Sequence, residues 1–313
     1  MAAPVSMRPL ARGDLEAVVE LDAATSGHAR RGFYARRIGQ IESDPQRLVG
    51  VCAERQGRVI GFVAAHLLDG EFGGEEPVGV LDAIGVARAD RGAGLATSLL
   101  ARLEEELAAR KVRELRTQVE WSVRGMAAFF ASAGFQLAPR LVIERDVQAP
   151  FGDEFQWEDL PVRSLEERDL PAVVRIDRNI TGRDRGPFFR RRGAEALRDS
   201  GIRLSLVAEV DGQAAGFLMA RIDYGEFGQT ETSAVLDAVG VDPGFARRRL
   251  GRALLEQLLL NLRSLRVERL ITEVAWGEFG LLAFLARAGF GPSQRLSFQK
   301  TVGGAGASSG AGR

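Results

Sequence analysis

The phrase LDAIGV at residues 81–86 returns as LDAVGV at residues 236–241, and the same spacing of 155 positions aligns text on both sides. Gly70-Glu71-Phe72-Gly73 falls on Gly225-Glu226-Phe227-Gly228, and Trp121 falls on Trp276. AFFASAGF (128–135) falls on AFLARAGF (283–290), and MRPLARGDLEAVVELD (7–22) on VRSLEERDLPAVVRID (162–177). Roughly a third of positions agree over about 140 residues without an insertion. Solenoid units run to only about 20–50 residues, so a repeat of this length is a duplicated domain. The expected layout is copy one over residues 1–148, a linker at 149–160 and copy two over 161–302. The Gly/Ala/Ser-rich tail at 303–313 is expected to be disordered. Duplication can fuse a former symmetric dimer, so an intramolecular pseudo-dimer is expected.

Composition excludes several classes. The 42 Lys+Arg balance 42 Asp+Glu, which leaves no global field to recruit nucleic acid or a membrane surface. No apolar run reaches the ~18 residues of a membrane helix. The opening MAAPVSMRPL has no apolar core segment, so a cytoplasmic protein is expected. A single cysteine, Cys52, rules out an internal disulfide framework, and its setting in RLVGVCAE reads as a buried strand thiol. His28 and His66 are the only histidines, and no Cys/His cluster has metal-ligand spacing, so no metal is expected.

Within copy one, VSMRPL reads as a short strand. GDLEAVVELDAA reads as a helix with Asp14 placed to cap it, and FYARRIGQIES as a second helix. RLVGVCAERQGRVIGFVAAHLL reads as a hairpin around Gly57. PVGVLDAIGV is apolar enough to be a buried strand. LATSLLARLEEELAARK sets Leu95, Leu99, Leu103 and Leu107 on one helical stripe. VRELRTQVEW is a strand, GMAAFFASAG a helix closed by Gly134, and RLVIERDV a last strand. The order β-α-α-β-β-β-α-β-α-β, met twice, is an α/β (α+β) arrangement.

Chemistry concentrates between the fourth strand and the helix after it, at Arg91-Gly92-Ala93-Gly94-Leu95-Ala96. The first amides of a helix lack internal partners and its dipole favours an anion there. Glycines let a phosphate approach the backbone closely. An ordinary tight turn would carry the same glycines.

Arg-x-x-Gly-x-Ala at this junction resembles the acetyl-CoA signature of the GNAT superfamily of N-acetyltransferases. The element order of both copies, "V-x-x-x-x-R-G-x-G-L-A-x-x-L-L" from Val86 and "A-F-F-x-x-x-G-F" from Ala128 are similar too. The resemblance implies two GNAT-fold domains, each a mixed, mostly antiparallel twisted sheet flanked by helices. It implies acetyl-CoA as co-substrate and an amine acceptor, small molecule or peptide. It implies that the amides of Arg91, Gly92, Ala93, Gly94, Leu95 and Ala96, with Thr97 beyond them, hold the pyrophosphate. The pantetheine arm would lie along Ile84, Gly85 and Val86, and a splay between PVGVLDAIGV and VRELRTQVEW would open the site.

Copy two departs from the signature. Arg91 corresponds to Ala246, Gly94 to Arg249 and Ala96 to Gly251. Either this copy has kept the fold and lost the cofactor, or Arg247, Arg248 and Arg249 bind phosphates by charge. A two-residue slip recovers Arg248-x-x-Gly251-x-Ala253 but breaks the match of Leu99-Leu100 with Leu254-Leu255.

The family often places a tyrosine acid four residues before the Gly of the G-F pair. Phe130 and Leu285 stand there and have no hydroxyl. For a base, Asp82 is a carboxylate inside an apolar strand, costly unless paired or functional. Glu71 follows on the hairpin rim. Asp237 occupies the place of Asp82 in copy two, which speaks for a structural role. Trp121 and Trp276 are expected to pack in the core or between the copies, and the role of His66 is left open. The rival to an acetyltransferase is a non-catalytic acyl-CoA-binding or regulatory protein.

Overall fold

The computed structural model describes residues 3–27, 29–68, 76–150, 162–198, 204–223 and 233–303. Glu71, Glu226, His28, most of the expected linker and nearly all of the tail lie outside the described residues. Copy one comprises β1 (Ser6–Pro9), α1 (Leu15–Ser26), α2 (Arg31–Ser43), β2 (Leu48–Arg55), β3 (Arg58–Leu68) and β4 (Val78–Val86). It continues with α3 (Leu95–Ala109), β5 (Glu114–Glu120), α4 (Arg124–Ser132), a two-residue β6 (Gln136–Leu137) and β7 (Arg140–Asp146). Copy two repeats this as β8 (Val162–Ser164), α5 (Leu170–Thr181), α6 (Gly186–Arg198), β9 (Leu206–Val210), β10 (Gln213–Asp223) and β11 (Ser233–Val241). Then follow α7 (Leu250–Ser264), β12 (Arg269–Ala275), α8 (Phe279–Arg287), β13 (Gly291–Pro292) and β14 (Arg295–Thr301).

Helix α7 begins 155 positions after α3 and both have 15 residues. That register rules out the two-residue slip. The α3 stripe is buried from end to end, Leu95, Leu99, Leu103 and Leu107 facing the sheet. Each such leucine contributes about 1.5–3 kcal/mol of burial. The β2–β3 hairpin turns on Gln56 (φ 51) and Gly57 (φ 75), the two left-handed positions of a tight hairpin turn. Asp14 differs from its expected role. A 3-10 turn, Arg12–Asp14, precedes α1, so Asp14 takes the Ala11 N–H (2.9 Å) and both Arg8 terminal nitrogens (2.7 and 2.8 Å) instead of capping α1. Cys52 is buried as expected, and burial with Asp14 nearby pushes its thiol up to about 11.

The last strands change places. One sheet runs β1-β2-β3-β4-β5-β14-β6 and the other β13-β7-β12-β11-β10-β9-β8. The strand expected to complete copy one, β7, therefore lies antiparallel to β12 of copy two, and β14 lies antiparallel to β5 of copy one. The exchange is reciprocal: Val119 opposes Leu296, and Val274 opposes Leu141. It reaches the cores. Phe298 and Val302 pack in the core beneath α3, and Ile143 and Val147 in the core beneath α7. Periodicity finds a strand but not its sheet. Because β7 and β14 occupy equivalent positions in the repeat, swapping them preserves each sheet's hydrogen bonds, a low-cost route to joining two copies.

A polar cluster sits on the seam. Glu273 accepts from Gln118 Nε2 (2.8 Å) and Ser297 Oγ (3.1 Å), with Arg140 Nε 3.8 Å away. Burial and the nearby Arg116 push the Arg140 guanidinium down to about 10, and Glu273 opposes that. Glu273→Ala takes one carboxylate from the partly buried Arg140 and an acceptor from both Gln118 and Ser297. The expected cost is about 3–5 kcal/mol, read as a lower denaturation midpoint of the whole chain. A loss below about 1 kcal/mol, the range of an exposed pair, would show that the cluster does not hold the seam. Trp121 and Trp276 give only their backbone N–H groups to the seam, to Gln294 O (2.9 Å) and Pro139 O (3.1 Å). The two residues are 59% and 51% exposed, contrary to the expected packing, because each falls just past the strand end where the core stops.

Candidate acyl-transfer site

Strands β4 and β5 run parallel and pair only from Val78↔Glu114 to Val80↔Arg116. Beyond that point they diverge, although β4 continues to Val86 and β5 to Glu120. Thr117 Oγ1 donates to the Leu81 carbonyl (3.2 Å) and pins the point of divergence, as Thr272 does on Leu236 (2.8 Å). The expected splay is present, and the β4 edge over Ile84, Gly85 and Val86 pairs with no residue of β5. Ile84 packs toward α3. Gly85 has a packing reason of its own, since a Cβ there would meet the Phe62 ring at 2.6 Å.

The splay leads to the loop before α3. Gly92 (φ 80) and Gly94 (φ 77) hold left-handed backbone, and a Cβ at either would meet nothing within 4 Å. Gly94 sits at the helix N-cap, so no side chain bonds the first amides, and the first turn has no acidic residue. The N–H groups of Leu95, Ala96 and Thr97 are thus donors without helical partners. An anionic pyrophosphate fits this donor set. Arg91 spends its Nε on the Val86 carbonyl (3.1 Å), tying the loop to the strand end.

Copy two keeps the same backbone with different residues. Arg247 (φ 66) and Arg249 (φ 59) take the left-handed positions of Gly92 and Gly94. Left-handed backbone costs a non-glycine residue about 1–2 kcal/mol.

Asp82 sits at the apex of the splay. Ala64 pairs with Ala83 and Ala65 with Leu81, so Asp82 is the extra residue of a β-bulge. The bulge aims a carboxylate, 3% exposed as a residue, toward α2. There Arg37 Nε lies 3.1 Å from Oδ2, and Arg37 Nη2 donates to Oδ1 at 3.3 Å. His66 Nδ1 lies 2.8 Å from Oδ1, off the line of an aligned hydrogen bond. In copy two Asp237 is likewise the extra residue of a bulge, with Arg221 Nε at 3.3 Å and Arg192 Nη2 at 3.6 Å. Arg37 and Arg192 are equivalent, as are His66 and Arg221. The sequence singles out Asp82 and leaves the role of His66 open, and it gives Arg37 no part. The available signal was the recurrence of Arg37 as Arg192 at the repeat spacing.

Phe130 lies in the α3-side core, its ring 5.0 Å from that of Phe135. Leu285 is buried in the same way. No acid operates from that position. Among the described residues no group of His, Cys, Asp and Glu could hold a metal ion, and no helix is long and apolar enough to cross a membrane.

The profile of the acetyltransferase (GNAT) family matches residues 15–135 and again 161–290. Among curated proteins none matches the chain. Solved structures share its fold along nearly all its length. A tandem GNAT protein from the clavulanic acid biosynthesis pathway has TM-score 0.67 and 18% identity, with 97% of this chain and 100% of that one covered. A GCN5-related N-acetyltransferase from Sphaerobacter thermophilus has TM-score 0.65 and 18% identity, with 96% and 97% covered. The glucosamine N-acetyltransferase region of a fungal multi-domain beta-N-acetylglucosaminidase has TM-score 0.66 and 16% identity. That match covers 96% of this chain, which spans 38% of the fungal one.

Proposed function

The chain belongs to the acetyltransferase (GNAT) family, and on that premise we propose that copy one is an acetyl-CoA-dependent N-acetyltransferase acting on an amine. The observation that carries this reading is the uncapped α3 terminus, with left-handed Gly92 and Gly94, standing at the mouth of the β4–β5 splay. Residues Arg91, Gly92, Ala93, Gly94, Leu95, Ala96 and Thr97 would hold the pyrophosphate through their amides. The open edge at Ile84, Gly85 and Val86 would align the pantetheine arm. When bound, acetyl-CoA would supply the thioester carbon that an amine attacks, its C–S bond breaking so that CoA departs as the thiolate and takes its proton from water. The chain's own part is to place the amine at the apex and accept its proton at the Asp82 carboxylate. His66 and Arg37 hold that carboxylate in position. Glu71 is a second candidate for proton transfer. Copy two serves as the partner whose strand β14 completes the sheet of copy one.

A second reading, acyl-CoA binding without turnover, is favoured by the burial of Phe130 where the family often has its tyrosine acid. A CoA-release assay of the whole chain against a panel of amines separates the two. Release with at least one amine supports transfer, and acetyl-CoA binding without any release supports the second reading.

The cradle has its own test. Gly94→Arg imitates Arg249 of copy two, which tolerates the left-handed backbone, so the variant is expected to fold. Its side chain would enter the open space over the first-turn amides. Acetyl-CoA affinity should fall at least about tenfold, or ~1.4 kcal/mol, by calorimetry. Unchanged affinity would move the pyrophosphate away from this loop.

A further inference from the structure

A cavity of about 830 Å³ lies between the copies and belongs to neither alone. Its walls are equivalent surfaces, α2 with the end of β3 from copy one and α6 with the end of β10 from copy two. The volume is within the ~300–1,000 Å³ of small-molecule sites. His66 and Arg37 line it, and both touch Asp82 at the apex of the splay. The cavity therefore ends at the two side chains that cover the Asp82 carboxylate, on the α2 side of the sheet.

Its charge is specific. Arg36, Arg37 and Arg47 enter from copy one and Arg191, Arg192 and Arg221 from copy two, against four carboxylates among the described lining residues. Two of these carboxylates are already engaged. Asp237 is shared by Arg192 and Arg221, and Glu195 Oε2 accepts from Arg192 Nη1 at 2.9 Å. Glu195 leaves its other oxygen 3.7 Å from Arg191 Nε, a loose contact. Guanidinium groups suit carboxylate and phosphate oxygens because their planar donors match them in pairs. The surplus of positive charge opposes a polycation. The same surplus favours the neutral form of an amine, which is the nucleophilic form.

Resting on the acetyl-transfer reading above, we infer that this inter-copy cavity is the acceptor pocket. Its ligand is an amine that also carries an anionic group, carboxylate or phosphate, gripped by arginines of both copies. Copy two then contributes to the site directly, through Arg191, as well as completing the sheet.

The test uses the whole chain. CoA release is measured with L-glutamate, L-aspartate and O-phosphoethanolamine, with the uncharged-tail counterparts glycinamide and ethanolamine, and with spermidine. At least one acidic amine should exceed the uncharged counterparts about tenfold or more in kcat/KM. Glutamate against phosphoethanolamine tells carboxylate from phosphate. Arg191→Gln should raise the KM of the preferred acidic amine about tenfold, with kcat and acetyl-CoA affinity little changed. Arg191→Lys, which keeps the charge but not the paired donors, should fall between. Preference for spermidine or an uncharged amine, or an unchanged KM in Arg191→Gln, overturns the inference. If no amine releases CoA, the transfer reading fails, and calorimetry with glutamate and phosphoethanolamine decides this inference by itself. Binding that weakens in Arg191→Gln supports it, and no binding of either probe overturns it.

Discussion

Residues 1–148, produced without the rest of the chain, are expected to yield no stable monomer. In the whole protein β5 pairs along seven registers with β14, and Phe298 and Val302 fill the core beneath α3. The fragment lacks all of these, and its own β7 has no β12 to join. Burying the two side chains alone contributes ~1.5–3 kcal/mol each, a large share of the ~5–15 kcal/mol that holds a typical fold. The exposed β5 edge is also a template for pairing. The fragment should therefore aggregate, or form a homodimer that exchanges β7 between two identical copies. Light scattering after size exclusion, with thermal melting, reads this directly. A monomeric fragment as stable as the full chain would falsify the view that strand exchange is what holds copy one together.

Asp82→Asn should reduce turnover at least about a hundredfold, the range expected on losing general-base help. Acetyl-CoA affinity should change little, because the cradle lies at the far end of β4. The substitution keeps the shape of the side chain but weakens its hold on Arg37, so some loss of stability is expected as well. Asp237→Asn supplies the comparison. Asp237 is held by Arg192 and Arg221 on the same kind of bulge, beside a loop with arginines where copy one has glycines. The two variants should melt at similarly lowered temperatures, and only Asp82→Asn should lose turnover by the larger factor. Equal losses of turnover would make Asp82 a structural group that shapes the apex. Proton transfer from a water near Glu71 would then be the next step to examine.

Much of this architecture is determined by the sequence itself. The repeat spacing of 155 sets two copies, and all element starts obey it except those of β8 and β9. The leucine stripe of α3, the hairpin at Gly57 and the glycines before α3 are local signals, each readable within a few residues, because periodicity and left-handed backbone are properties of short segments. Tertiary structure alone decided the rest. Which sheet receives β7 depends on partners more than a hundred residues away, and two strands of like pattern satisfy either sheet. The partners of Asp82 come from α2 and β3, brought together only once the bulge at Asp82 turns its carboxylate toward them. The inter-copy cavity arises where equivalent faces of the two copies meet. Its arginines are scattered along the chain, and a sequence with balanced charge conceals their convergence because charge balance is a sum and a pocket is a place.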